Sequence, residues 1–315
     1  MKLSLFDTHC DTALELYRRH SRLDRNDCCH ISLESAAVYD GYAQFYAVWS
    51  NRRLNDEACW DVFLRATDYF KSELARIPDK AALVTSRSAL KAAVREGKHA
   101  AILAVEDARL TAGKLSRLDD LKAIGVRYLT LLWGGDTCIG GSHDTGNGLT
   151  DFGKALVRGC FERGIIPDIS HASEQSVDHL LPIAYEYGKP FIATHSNSYT
   201  VYPHTRNLRD RHFEHIKALG GIVGISLCCS HLADTSLRPA DATDLLRHLE
   251  HYLSLGGEDM VGFGADWDGT DLPQGIEHVG HLTNFAELLG QHNYSDALIE
   301  KIFWKNFYNF ALNNL

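Results

Sequence analysis

The 315-residue chain predicts one (β/α)8 barrel, residues 1–315, with extra helices at its C-terminal end. Three observations predict it. Short apolar runs alternate with longer segments of helical period, the order that gives a parallel sheet covered by helices. Eight such runs fall within about 270 residues, which suits a closed barrel better than an open doubly wound sheet. No G-x-G-x-x-G or G-x-x-x-x-G-K pattern follows any run, which weighs against a nucleotide-binding sheet.

The strand-like runs are residues 3–9, 42–49, 100–106, 128–133, 165–171, 191–195, 222–226 and 261–266. Helical spacing marks residues 56–76, 86–96, 115–124, 152–162, 174–187, 210–219 and 240–255. Ser173 before Glu174 has the chemistry of a helix N-cap, and Gly164, Gly188 and Gly220 stand where helices should end. The tail 281–315 reads as two or three closing helices.

Hydrophobic residues at 45% and charged residues at 23% are an ordinary globular mix, enough for a large core. The net charge of −9 and the lack of a Lys/Arg run argue against a nucleic-acid partner. No apolar stretch approaches the roughly 20 residues that span a bilayer, and no targeting core or lipid-anchor signal is seen, so a cytoplasmic protein is expected. The eight cysteines include the vicinal pairs Cys28-Cys29 and Cys228-Cys229 but no CxxC, so they read as reduced packing residues. The 17 histidines are the unusual count, and position has to sort them.

Barrel sites lie at the C-terminal ends of the strands. Five predicted ends carry a histidine or carboxylate: His9 and Asp11, Glu106, His171, His195, and Asp266. Each has a plainer reading alone, as a hydrogen-bonded strand-end residue, a helix cap or a turn. Converging in one bowl, they read as a dinuclear metal site. His9 and Asp11, two apart, can share a metal. Glu106 can bridge two metals, and His171 and His195 can complete the second. Two such ions about 3.5–4 Å apart can hold and acidify a hydroxide between them, which leaves Asp266 as the proton shuttle.

The chain resembles the membrane (renal-type) dipeptidase family of the amidohydrolase superfamily, in the manner of a bacterial, soluble member. The resemblance runs in order through Phe6-Asp7-Thr8-His9-Cys10-Asp11, Ala104-Val105-Glu106-Asp107, Arg127-Tyr128-Leu129-Thr130-Leu131 and Gly148-Leu149-Thr150-Asp151-Phe152-Gly153. It continues through Asp168-Ile169-Ser170-His171-Ala172-Ser173, Thr194-His195-Ser196-Asn197, Arg206-Asn207-Leu208, Gly264-Ala265-Asp266-Trp267-Asp268-Gly269 and Asn306-Phe307. His9-x-Asp11 replaces the His-x-His of most amidohydrolases, and Glu106 replaces their bridging lysine. The resemblance implies a metal-dependent hydrolase barrel with two zinc ions per chain, bridged by Glu106 and hydroxide. It implies cleavage of small dipeptides, often with a D-residue at the C-terminal position. Arg206 matches the family arginine that grips the substrate's C-terminal carboxylate, a partner suited to a guanidinium fork. Trp133 stands where many members have a histidine on the scissile carbonyl oxygen, so it is read as substrate-binding without metal affinity. His143, in the following loop, is either a substitute for that histidine or a solvated loop residue. Members are often dimers, which leaves a homodimer open.

Two rival readings follow from the same residues. One is another amidohydrolase activity on a lactone, cyclic amide or phosphoester. The other is a non-catalytic metal-binding barrel. Trp49, Trp60, Trp267 and Trp304 read as core or pocket lining, and the His-rich segment 278–281 as a solvated helix start.

Overall fold

A computed structural model describes residues 3–315. Its strands are β1 (Leu5–Cys10), β2 (Tyr42–Trp49), β3 (Ala81–Leu83), β4 (His99–Glu106), β5 (Val126–Thr130), β6 (Ile166–Asp168), β7 (Val223–Ile225) and β8 (Val261–Phe263). All pair in parallel, in the order β6-β5-β4-β2-β1-β8-β7. Two parallel bridges, Asp168 to Ile192 and Ala193 to Val223, join β6 to β7 and close the ring.

Two expectations change here. The run 191–195 is no strand; it makes single bridges at Ile192 and Ala193 and then turns away. An unforeseen strand, β3, pairs with the first residues of β4. β2 holds one edge of β4 along its whole length, so β3 and β5 share the other edge.

The helices are α1 (Thr12–Arg19), α2 (Asp56–Arg76), α3 (Arg87–Arg95), α4 (Arg117–Ile124), α5 (Asp151–Arg163), α6 (Glu174–Tyr187) and α7 (Asp210–Ala218). They continue as α8 (Cys229–Leu232), α9 (Ala242–Ser254), α10 (Thr283–Gln291), α11 (Asp296–Glu300) and α12 (Asn306–Asn314), with a π turn at Lys301–Lys305. The Ser173 hydroxyl caps α6 by accepting from Ser176 N–H, and Gly164 and Gly188 take left-handed C-caps. Gly220 follows one residue after the cap of α7. His278 caps a short 3-10 turn, Val279–Leu282, as a helix start should.

Strand alternation sorts the core. Phe6, Ala43, Phe45, Ala100, Ile102, Ala104 and Tyr128 fill one cluster, closed at the strand starts by Phe307 and Phe310 of α12. Their neighbours Leu5, Tyr46, Val48, Leu103, Val105 and Leu129 pack outward against the helices. This is the period-2 division of a barrel into inside and outside.

Candidate metal centre and active site

The inner-face series Ala100, Ile102, Ala104 continues to Glu106, so β4 delivers that carboxylate to the mouth. β1 reaches the same place by a different device. Phe6 lies in the inner cluster, yet Cys10, four residues on, lies in the outer one. The pairing jumps from Asp7–Gln44 to Cys10–Tyr46, a bulge that gives β1 one extra residue. Bulges beside active sites re-aim side chains, and this one turns His9 and Asp11 toward Glu106.

His171 and Asp266 come from turns after β6 and β8. Both carry left-handed backbone, φ +68° and +65°, as do Asp107 (+73°) and Asp268 (+66°). These are four of the seven non-glycine residues with positive φ among the described residues, so the backbone strain gathers at this mouth. Gly269 leaves the needed space: a Cβ there would lie 2.4 Å from both Asp11 Oδ2 and Asp266 Oδ1.

Two buried aspartates brace the mouth. Asp7 accepts from His9 N–H (2.9 Å), Gln44 Nε2 (2.8 Å) and Ala265 N–H (2.9 Å), tying β1 to β2 and to the turn after β8. Asp168 accepts from Thr130 Oγ1 (2.5 Å), Ser170 N–H (3.0 Å), Thr194 N–H (2.9 Å) and Thr194 Oγ1 (2.6 Å). The single Thr194 hydroxyl proton goes to Asp168. Its oxygen, 2.8 Å from His195 Nδ1, therefore accepts from that nitrogen. The His195 tautomer is fixed, and Nε2 keeps its lone pair.

That lone pair faces the centre. His195 Nε2 is 2.9 Å from His171 Nε2 and 3.4 Å from Glu106 Oε1, and His171 Nε2 is 3.0 Å from the same oxygen. His9 Nε2 is 3.7 Å from both Glu106 Oε1 and Asp266 Oδ1. The ligand atoms of His9, Asp11 and Glu106 lie within 4.8 Å of one another, as do those of Glu106, His171 and His195. A third such group joins His9, His195 and Asp266.

Burial favours the neutral form of every group here, and the mutual charges decide between them. Burial lowers the His171 imidazole to about 3, with Arg206 adding to it, and holds His195 well below the usual range. His9 is pressed downward by burial, but Glu106, Asp266 and Asp11 outweigh it and push it up to about 10. Burial works to raise Glu106 too, yet His9, His171 and His195 hold it well below the carboxylate range. Burial, then the charge of Glu106, raises Asp11 well above it. Burial also raises Asp266, to about 6, with Glu106 adding to the rise. His9 Nε2 and Asp11 Oδ1 are buried without a hydrogen-bond partner. Converging carboxylates, imidazole lone pairs and orphaned donor atoms fit divalent cations of zinc type.

A cavity of about 240 Å3 opens over Asp11, Glu106, His171 and Asp266, and is walled by Trp49, Trp133, Cys228 and His231. Arg206 is buried beside it. Its Nη1 donates to Ser196 Oγ (3.0 Å) and its Nη2 to the His195 carbonyl (2.8 Å), while Nε has no partner. Trp133 lies past the end of β5, its ring centroid 6.0 Å from that of His171 and 4.8 Å from that of Trp49. His143 is half-buried against His171, ring centroids 6.0 Å apart, with Nδ1 3.2 Å from Thr205 Oγ1. Asp268 serves structure: it accepts from Thr12 Oγ1 (2.5 Å) and His30 N–H (2.6 Å). The six sequence-predicted residues His9, Asp11, Glu106, His171, His195 and Asp266 thus meet, with Arg206 and Trp133 around them. Sequence reasoning missed the bracing by Asp7, Asp168 and Thr194, although their identities stood within the quoted motifs.

The family model of membrane dipeptidase, peptidase family M19, matches residues 1–310. The chain belongs to the membrane dipeptidase family. A solved M19 metallo peptidase, dipeptidase AC, superposes with a TM-score of 0.92 at 27% identity, covering 100% of this chain and 99% of its own. A metallo peptidase from Rhodobacter sphaeroides, liganded with a phosphinate mimic of the dipeptide L-Ala-D-Ala, gives 0.91 at 26% identity with the same coverage. A protein encoded in the pqqA 5' region of Klebsiella pneumoniae is 31% identical over 223 residues, 67% of this chain and 81% of that protein. Membership in this family supports metallo-dipeptidase activity and a metal cofactor. An amidohydrolase from Pseudomonas aeruginosa shares the barrel fold, with a TM-score of 0.80 at 18% identity. No helix among the described residues is long and apolar enough to cross a membrane.

Proposed function

We propose that the chain is one metal-dependent hydrolase domain that cleaves dipeptides in the cytoplasm, L-Xaa-D-Xaa among them, with two zinc ions per chain. The observation that carries this reading is the sharing of Glu106 by two candidate ligand groups, His9 with Asp11 and His171 with His195, beside Asp266. Zinc ions held there supply an acidified water and a Lewis acid for the scissile carbonyl. Asp266 takes the proton of the attacking water at Oδ1 and returns it to the leaving amine. Its carboxylate, with Oδ1 3.7 Å from His9 Nε2, stands at the edge of the candidate ligand groups, where it can accept and pass on that proton. Arg206 fixes the C-terminal carboxylate of the substrate, its guanidinium oriented by Ser196 and the His195 carbonyl. Trp133 walls the space where the substrate lies. The mimic of L-Ala-D-Ala held by the Rhodobacter sphaeroides peptidase supports the L,D preference.

The test is hydrolysis by zinc-loaded protein of L-L, L-D and D-L dipeptides, with C-terminally blocked controls and a chelator. Cleavage of the free dipeptides alone, abolished by the chelator, is expected. Two bound metals without cleavage of any dipeptide would remove this substrate class.

A further inference from the structure

Trp49, Trp133 and Arg18, at one end of the cavity, also wall a neighbouring hollow of about 460 Å3, completed by Asn51, Arg52 and Arg53. We propose that this outer hollow is the side-chain subsite for the substrate's N-terminal residue and that it selects an acidic side chain. The inference rests on the dipeptidase reading above.

Orientation comes first. Arg206 is held by Ser196 and the His195 carbonyl, just past the 191–195 run, whereas Trp49 ends β2, the strand across the ring from that run. A dipeptide whose carboxylate sits at Arg206, with its peptide bond over Glu106 and Asp266, directs its first residue toward Trp49 and Trp133.

The walls there suit a short stem ending in a carboxylate. The two tryptophans give an apolar floor. The Arg18 guanidinium lies 5.9 Å over Trp49 and the Arg52 guanidinium 5.8 Å over Trp133. A guanidinium stacked on a ring keeps its in-plane N–H groups for a carboxylate. The Arg52 guanidinium lies against Gly134 and Gly135: a Cβ at Gly134 would lie 2.9 Å from Nη1, and one at Gly135 3.1 Å from Nη2.

The acids nearby leave the rim positive. Asp144 is 3.8 Å from Arg52 and is engaged by the Gly135 N–H and the Ser142 hydroxyl. Glu15 is shared between Arg18 (2.8 Å) and Arg19 (3.0 Å). Arg53 has no ion pair among the described residues and is exposed.

The test compares isosteric pairs, L-Glu-D-Ala with L-Gln-D-Ala and L-Asp-D-Ala with L-Asn-D-Ala, on zinc-loaded protein. The acidic member should lead in kcat/KM by about tenfold or more, the size of one charge-assisted hydrogen bond. Arg52→Ala should bring that ratio toward one, and Arg52→Glu should turn the preference toward L-Lys-D-Ala. Equal rates for acid and amide in the unaltered protein, or a ratio untouched by both substitutions, would overturn the subsite. If no dipeptide is cleaved, the dipeptidase reading fails instead. Calorimetry with phosphinate mimics of L-Glu-D-Ala and L-Gln-D-Ala then decides the subsite: tighter binding of the acidic mimic upholds it, and equal or absent binding overturns it.

Discussion

Two cavities open at opposite ends of the same strands. The one at the strand starts is the larger, about 550 Å3, and has His99 in its wall; the one at the strand ends measures about 240 Å3. At the start of β4 both nitrogens of His99 are satisfied: Nδ1 is 3.1 Å from the Tyr42 carbonyl and Nε2 is 2.8 Å from the Tyr46 hydroxyl. At the end of β1, His9 is as deeply buried, yet its Nε2 has no partner and faces two carboxylates. Volume therefore does not mark the candidate site. What marks it is buried donor atoms left open toward one point, since such atoms are costly unless something binds them.

The comparison can be broken at the mouth or at the base. The largest effect is expected at Asp266. Asp266→Asn should lower kcat by about 10²–10⁴-fold, the usual span for a proton-transfer residue, while elemental analysis still finds the metals. A loss below about tenfold would remove Asp266 from the proton path. Next comes metal removal. If the mouth is bound only in the folded state, zinc at about 1,000 times its Kd stabilises by about 4 kcal/mol. Calorimetric melting with and without chelator reads this, and an unchanged Tm would mean the mouth needs no cation. Third, Arg206→Ala removes a charged contact of about 1.5–3 kcal/mol. The kcat/KM for free dipeptides should fall about 10- to 100-fold, and an unchanged value would favour a substrate without a free carboxylate.

The smallest effect belongs to the base. Burial lowers His99 to about 3. Between that value and its unfolded pKa of about 6.5, only the unfolded chain binds the proton. The neutral ring's contribution is thus fully present above about pH 6.5 and is lost as pH falls, about 2 kcal/mol by pH 5. His99→Gln should flatten this part of the stability profile between pH 7 and 5, measured by urea unfolding. An unaltered slope would show that the ring is not what the acid protonates.

Much of this was legible in the sequence because barrel chemistry sits where apolar runs stop. The six residues of the mouth were found by reading strand ends, and Arg206 and Trp133 by family resemblance. Four things were hidden. Ala81–Leu83 is too short and too alanine-rich to show a period, so β3 was missed. The run 191–195 has a strand's composition, but Gly224 and Gly264 press against the Thr194 carbonyl, where a Cβ at Gly264 would lie 1.6 Å away. The chain bends there rather than extending the ladder. The helix α1 begins directly after Asp11, and its apolar face, Ala13, Leu14 and Leu16, was overshadowed by the motif before it. The bulge in β1 is invisible too, because only the partner strand defines it.

The closing bridges at Ile192 and Ala193 carry one more consequence. β2 and β4 share seven residue pairs. The segment at 192–193 is joined to its neighbours by Ile192 N–H to Pro167, Ala193 N–H to Ile222, Ile169 N–H to Ile192 and Gly224 N–H to Ala193. An unevenly fastened ring opens at its lightly paired joints before it unfolds as a whole, and this segment is one of them, with the single-pair β1–β8 seam another. Amide exchange in the native protein should therefore release these four protons ahead of those in β2 and β4. Thr194 and His195 would travel with the open flap, so a partly unfolded state of this barrel would lose one side of its mouth while the β1–β2–β4 wall stands.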